Sequence, residues 1–293
     1  MVGIGAGFDT AYLRLKENPD SATPFGYFEV DFEKVVLRKR DLLASPDEPM
    51  GGVMGEIFGS LEEGGFYSAD GVYRLLPGDL RQPETVGAAL LGAGLDPRMP
   101  TIFLSECVLV YLERQHAHGL LEWISTTMDT AGFALYEQIH PNDPFGQMMI
   151  KNLETRGCPL LGLEATPDLV AQRERYLGAG WSASGALDMN DVYRCLPIED
   201  RVRVERLEHL DEVEEHIMFQ GHYCVSWAAI HKAQGASESL FCRTWGLVPE
   251  AAAPPKRWVP PTVSPGLLAA CGPSAAAPRQ RGPKTGPTLP NAD

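Results

Sequence analysis

Basic charge, cysteine pairs and long apolar runs are all scarce in this 293-residue chain. Lys and Arg number 25 against 39 Asp and Glu, a formal net charge of −14. Phosphate contacts need clustered Lys and Arg, so binding to nucleic acid through the general surface is disfavoured. The six cysteines (Cys107, Cys158, Cys195, Cys224, Cys242, Cys271) form no CxxC pair, which removes a zinc ribbon or a thioredoxin-type site. Their wide spacing suits free thiols in a reducing compartment. The histidines show no H-x-x-x-H pair, and no metal site is expected. No apolar run approaches the length of about 18 residues that a membrane helix needs. No basic segment leads into an apolar one at the start, so a signal peptide is not expected either.

Proline is plentiful but unevenly placed. Eleven of the 24 lie between Pro249 and Pro290. Of the charged residues, five basic and two acidic ones fall in 249–293, leaving 20 and 37 for the rest, a balance of −17. Large apolar residues are too few there to build a core. The expectation is a folded acidic body over 1–246 and a disordered Pro/Ala/Gly-rich tail over 247–293.

Within the body, apolar runs alternate with helix-like stretches, the pattern of an α/β fold with a mainly parallel sheet. Strands are expected at 27–31, 73–76, 101–105, 132–138, 181–187 and 222–229. Helices are expected at 11–16, 32–43, 82–91, 113–130, 145–153, 166–177 and 211–219.

The polar groups that carry chemistry sit at strand ends. Gly3-Ile4-Gly5-Ala6-Gly7 is a glycine loop with almost nothing before it. Glycines let backbone pass close to a ligand, and a following helix N-terminus orients polar groups. A nicotinamide fingerprint needs GxGxxG, but the third position falls on Phe8 or Thr10, so a dinucleotide is disfavoured. Asp31, after the second strand, suits ribose hydroxyls. Asp79-Leu80 follows the third strand, where an adenine would lie between a carboxylate and an apolar side chain. Glu106 ends the next strand. Polar groups at successive strand ends converge on the crevice where open α/β sheets bind ligands. An acid after strand two and a polar pair after strand three, without the third glycine, point to S-adenosylmethionine.

Several segments carry a resemblance. Gly5-Ala6-Gly7-Phe8-Asp9-Thr10, Tyr27-Phe28-Glu29-Val30-Asp31-Phe32, Glu106-Cys107-Val108-Leu109-Val110-Tyr111, Tyr136-Glu137-Gln138, Phe145-Gly146-Gln147-Met148 and His222-Tyr223-Cys224 resemble the leucine carboxyl methyltransferases. The resemblance runs from Val2 to about Ala229. It implies a class I S-adenosylmethionine-dependent methyltransferase fold, Rossmann-like, with helices on both faces of the sheet. It implies a cytosolic, monomeric enzyme that esterifies the C-terminal leucine carboxylate of the type 2A protein phosphatase catalytic subunit. Carried over by motif, Gly5 and Gly7 line the cofactor loop, Asp31 binds the ribose, Asp79 and Leu80 flank the adenine, and Glu106 lies beside the cofactor. A second branch of the family acts on a transfer-RNA base and carries a C-terminal propeller; no repeat of propeller period is present here. The alternatives are a methyltransferase of the same fold acting on a small-molecule carboxylate or hydroxyl, and an inactive phosphatase-binding protein.

No catalytic residue is assigned by sequence. Tyr111 and Tyr136 are hydroxyl candidates for the substrate side, with Glu137 and Gln138 beside them, although aromatics after strands more often pack. The family's region before the glycine loop is missing. The strand that should precede the loop belongs at the sheet centre, where typical strands run about 5–6 residues, and Met1-Val2 is too short for one. The expectation is an N-terminally truncated chain with a gap in its sheet and weakened or absent methyl transfer.

Overall fold

A computed structural model describes residues 1–18, 24–45, 47, 54–207 and 210–232. The chain divides into two units, Met1–Val248 and Pro249–Asp293. The second unit, and with it the tail expected to be disordered, lies outside the described residues.

The described strands are β1 (Val2–Ile4), β2 (Tyr27–Asp31), β3 (Ile57–Ser60), β4 (Gly65–Ser68), β5 (Tyr73–Pro77), β6 (Thr101–Glu106), β7 (Thr130–Gln138), β8 (Ala183–Asp188) and β9 (Tyr223–His231). They form one sheet in the order β3-β4-β5-β2-β1-β6-β7-β9-β8. The block β5-β2-β1-β6-β7 is parallel. β9 runs antiparallel between β7 and β8, and the β3–β4 hairpin extends the β5 edge. A parallel block with one reversed strand inserted near its end is the sheet of a class I methyltransferase, as expected. From β1 the chain steps outward to β2 and β5, then back across β1 to β6. That reversal of direction is where an open α/β sheet leaves a crevice at its strand ends.

The expected gap at the sheet centre is not there. Val2–Ile4 forms β1 and pairs on both sides, Val2 with Phe28 and Phe103 and Ile4 with Val30 and Ser105. The Phe28 N–H also donates to the Met1 carbonyl at 2.8 Å. The sequence reading gave Gly3 to the loop. In the fold Gly3 and Ile4 are strand, and the turn begins at Gly5.

Helices cover both faces. α1 (Ala11–Glu17) and α2 (Glu33–Ala44) lie on one side, where Tyr12, Val36 and Leu43 pack with Tyr27 and Tyr73. α3 (Pro83–Gly92), α4 (Arg114–Thr127) and α6 (Leu169–Gly178) lie on the other, with α5 (Pro144–Thr155) after β7. There Val2, Ile4, Phe103 and Phe133 meet Leu120, Ile124 and Tyr176. Alternation along each strand sends neighbours to opposite cores: Phe28 and Val30 enter one, Tyr27 the other. Local signals set several helix starts. Asp143 caps α5 through the Gly146 N–H at 2.7 Å, with Pro144 in the first turn. Asp168 caps α6 through Ala171 N–H at 2.8 Å, so this helix starts after the expected Thr166-Pro167. Between β8 and β9 come α7 (Met189–Cys195), α8 (Ile198–Glu205) and α9 (Val213–Gly221), none with a buried side chain.

One charged pair sits inside the fold. Lys39 of α2 donates to Glu29 Oε2 of β2, and the Tyr73 hydroxyl donates to the same oxygen at 2.5 Å. Glu29 and Lys39 are each 1% exposed. Losing one partner leaves the other charge buried alone. Lys39→Met is therefore expected to destabilise the fold by about 3–5 kcal/mol. Lys39→Met combined with Glu29→Gln should recover much of that loss, and urea denaturation of the two variants measures it.

Candidate functional site

The glycine loop is tied to the end of β2. Gly5 and Ala6 N–H groups donate to the Val30 carbonyl at 2.8 and 3.3 Å. The Gly7 N–H donates to Asp31 Oδ2 at 2.7 Å, and the Phe32 N–H donates to Oδ1 at 2.7 Å. Each oxygen of a carboxylate accepts about two hydrogen bonds, so both keep capacity for a further donor. Gly5 has φ +63°, and a Cβ placed there would sit 2.6 Å from Val108 Cγ2. Only glycine fits this turn in this packing.

Two hollows flank Gly5. The first, of about 530 Å³, lies over the ends of β1, β6 and β7 and is lined by Gly3, Gly5, Asp9, Glu106, Cys107 and Tyr136. The second, of about 500 Å³, is lined by Asp31, Leu80, Val108, Tyr111, Glu113 and His116. Gly5 and Cys107 line both. These are volumes suited to a small molecule.

The wall between the hollows is the turn after β6. Cys107 has φ +50°, a left-handed conformation that costs a non-glycine residue about 1–2 kcal/mol. Its N–H donates to the Tyr136 carbonyl at 2.8 Å. A single 3₁₀ turn, Leu109–Tyr111, follows. Burial, then the carboxylates of Glu137 and Glu106, push the Cys107 thiol up to about 11. The raised value keeps this wall residue a neutral thiol at neutral pH.

Most of the site expected from sequence comes together here. Asp31 and Leu80 line the second hollow and Glu106 the first, with Gly5 between them. Gly7 takes part through its N–H to Asp31. Asp79 is placed differently: it does not line either hollow but is engaged by Arg81, whose Nη2 donates to Oδ2 at 2.6 Å and whose Nε donates to Oδ1 at 2.9 Å. That guanidinium holds the Asp79 carboxyl below its ordinary range. The two tyrosines do not meet in one hollow. Tyr111 lines the second and Tyr136 the first, where its ring stacks on Tyr223 at 5.2 Å. Burial raises both phenols, Tyr136 to about 12, so each is an O–H donor at neutral pH. Glu137 and Gln138 are buried and line neither hollow. Sequence reading missed Val108 and His116. An apolar run after Glu106 and a histidine three residues into the next stretch carry no chemical signature until the turn is folded.

Two outcomes follow from this packing. Gly5→Ala is expected to lower stability by about 1–2 kcal/mol from the backbone alone, and by more through the Val108 clash. Adding Val108→Ala should recover the clash part only, as read by urea denaturation. Native protein treated with iodoacetamide at pH 8 should be alkylated at exposed Cys158 and Cys195, with Cys107 unmodified in peptide mass spectra.

Comparison with known proteins follows the same elements. Residues 1–125 match the family model described as leucine carboxyl methyltransferase. The leucine carboxyl methyltransferase 1 homolog of Arabidopsis thaliana is 39% identical over 236 residues, covering 80% of this chain and 70% of that protein. Leucine carboxyl methyltransferase 1 of Bos taurus is 36% identical over 244 residues, 81% of this chain and 70% of that protein. The tRNA wybutosine-synthesizing protein 4 of Homo sapiens is 42% identical over 232 residues, 77% of this chain but 33% of that protein. With identity of this level over most of two relatives, and with the glycine loop, Asp31 and Glu106 gathered at the ends of the three central strands, the chain belongs to the leucine carboxyl methyltransferase family.

Proposed function

We propose that this chain is an S-adenosylmethionine-dependent methyltransferase that forms a methyl ester on a C-terminal leucine carboxylate, with the type 2A protein phosphatase catalytic subunit as acceptor. The observation that carries the cofactor reading is the Asp31–Gly5 cradle. A carboxylate fixed by two backbone N–H groups keeps acceptor capacity toward ribose hydroxyls. Beside it the Gly5 backbone lies directly against Val108, with no room for a Cβ. Leu80, 7% exposed, offers an apolar surface for a base in the second hollow. Glu106 offers an acceptor in the first.

The bound cofactor supplies a sulfonium methyl that is already activated. The residues of this chain then need to bind, orient and exclude water. A terminal carboxylate has a pKa of about 3.5 and is ionised at pH 7, so no general base is required. Holding the acceptor in line supplies roughly 7–11 kcal/mol of barrier lowering. The protonated Tyr136 hydroxyl is the donor beside the first hollow that is suited to steer such a carboxylate. The phosphatase rests on the motif resemblance alone, and so does placement in the cytosol. Among the described residues no helix is long and apolar enough to cross a membrane.

A second reading is methyl transfer in transfer-RNA base modification, favoured by the 42% identity to the human wybutosine-synthesizing protein. The acidic balance of the body opposes a polyanionic acceptor.

Labelled S-adenosylmethionine, offered with a Leu-terminated phosphatase peptide, the intact catalytic subunit and transfer RNA, separates the readings. Alkali-labile label on protein is expected; label on RNA alone would sink the carboxylate reading. Asp31→Asn removes a charged acceptor. It should weaken S-adenosylhomocysteine binding roughly tenfold to a hundredfold by calorimetry, and unchanged affinity would remove Asp31 from the site.

A further inference from the structure

Glu137 lies on β7, fully buried, yet lines neither hollow. Its Oε1 accepts from the Val110 N–H at 2.5 Å. Its Oε2 accepts from Arg175 Nη1 at 2.8 Å and from Gln172 Nε2 at 3.5 Å. Arg175 and Gln172 belong to α6, and Arg175 also donates to Gln172 Oε1 at 3.0 Å. The Arg175 side chain is 11% exposed. A buried carboxylate so held has little freedom to move.

Val110 is the middle residue of the 3₁₀ turn that separates the hollows. Its carbonyl accepts from the Gly162 N–H at 2.8 Å. Two residues earlier, Val108 presses on the space beside Gly5. Val108, Tyr111 and Leu112 line the second hollow. The path from α6 to the glycine loop is therefore contiguous: Arg175 fixes Glu137, Glu137 fixes the Val110 amide, and the turn sets its distance from Gly5.

We propose that Glu137 is a positioning residue for the cofactor site, holding the Val108–Tyr111 turn at the width the cofactor needs. The ligand in this statement rests on the methyltransferase reading above; the tie to the Val110 amide does not.

Removing Glu137 or Arg175 singly would leave a buried charge unpaired and confuse positioning with folding. Two double variants avoid this. Glu137→Gln with Arg175→Met keeps a carbonyl acceptor for the Val110 amide. Glu137→Met with Arg175→Met has similar bulk and no acceptor. In the full chain, the first should bind S-adenosylhomocysteine within about threefold of the parent. The second should bind roughly tenfold more weakly, with hydrogen exchange at the Val110 amide roughly tenfold faster. A merely structural role would lower the melting temperature of both alike and leave their affinities equal. Equal affinity together with equal Val110 exchange overturns the proposal.

Should the Glu137→Met form not fold, the parent chain gives the answer by linkage. Saturating S-adenosylhomocysteine should slow Val110 exchange more than exchange in the distant β3–β4 hairpin. Equal slowing at both places overturns the proposal. A parent chain that binds no S-adenosylhomocysteine defeats the methyltransferase reading instead, and Val110 exchange in the two variants still decides the tie.

Discussion

The carboxylate of Asp31 is the fixed point of the site. It accepts one backbone N–H from the glycine loop and one from the first residue after its own strand. Without it, the loop after β1 would have to place the Gly7 N–H against water, and only the Val30 carbonyl would still tie the loop to β2. With it, the ends of two neighbouring parallel strands become one rigid rim. The same carboxylate lines the second hollow. One residue thus has a structural role and, in the reading proposed above, a recognition role that cannot be altered without it.

Two buried ion pairs hold the elements on either side of that rim. On the β2 side, Glu29–Lys39 with Tyr73 fastens α2 to the sheet. Glu29 precedes Asp31 by two residues on the same strand, so the clamp also limits how the strand end moves. On the β7 side, Glu137–Arg175 fastens α6 and the turn after β6. Buried pairs of this kind contribute little net stability against an apolar alternative, because desolvation offsets the Coulomb gain. Their value lies in geometry: a charge in low dielectric has few tolerable positions. Apolar packing on the two cores fills space but, being non-directional, does not orient a backbone amide as a hydrogen bond does. Here the two polar ties fall beside the parts that a ligand must touch.

Much of this was legible in the sequence, for reasons that can be named. Long apolar strands such as Thr101–Glu106 and helices with a strong apolar stripe such as Arg114–Thr127 announce themselves by period. Asp31 and Glu106 are acids at the ends of such strands, where side chains leave the sheet. What escaped detection was short or conditional. The β3–β4 hairpin has four-residue strands around Glu62-Glu63-Gly64, which reads as loop by composition. The helices of the β8–β9 connection bury no side chain and so carry no core-facing stripe. β1 was denied because its glycine was counted as loop; pairing on both sides gives three residues as much hydrogen bonding as a longer edge strand would have. Asp79 reads as a flank of the adenine, and nothing in Pro-Gly-Asp-Leu-Arg says that the arginine will fold back on it. Glu137 reads as a substrate-side candidate beside Tyr136, and nothing near it in the chain announces its buried partner Arg175, 38 residues away.

The chemistry of the hollows bears on which acceptor fits. An amine or hydroxyl nucleophile must lose a proton during methyl transfer, and a neutral one calls for a base within reach. The side chains that raise themselves from their ordinary titration here do so in the wrong direction for that task. Tyr111, Tyr136 and Cys107 are all held more firmly in their protonated forms by burial. Such groups donate hydrogen bonds and do not accept protons. These three donors suit the acceptor proposed above, a carboxylate that arrives already deprotonated, while Asp9, Asp31, Glu106, Glu113 and His116 line the same hollows as acceptors. The charge of Glu106 and Glu113, which line the hollows, would repel any further carboxylate, whether the acceptor's own or one beside it. In the reading proposed above, a chain end with an apolar last residue brings one negative charge and no second, which keeps that repulsion smallest.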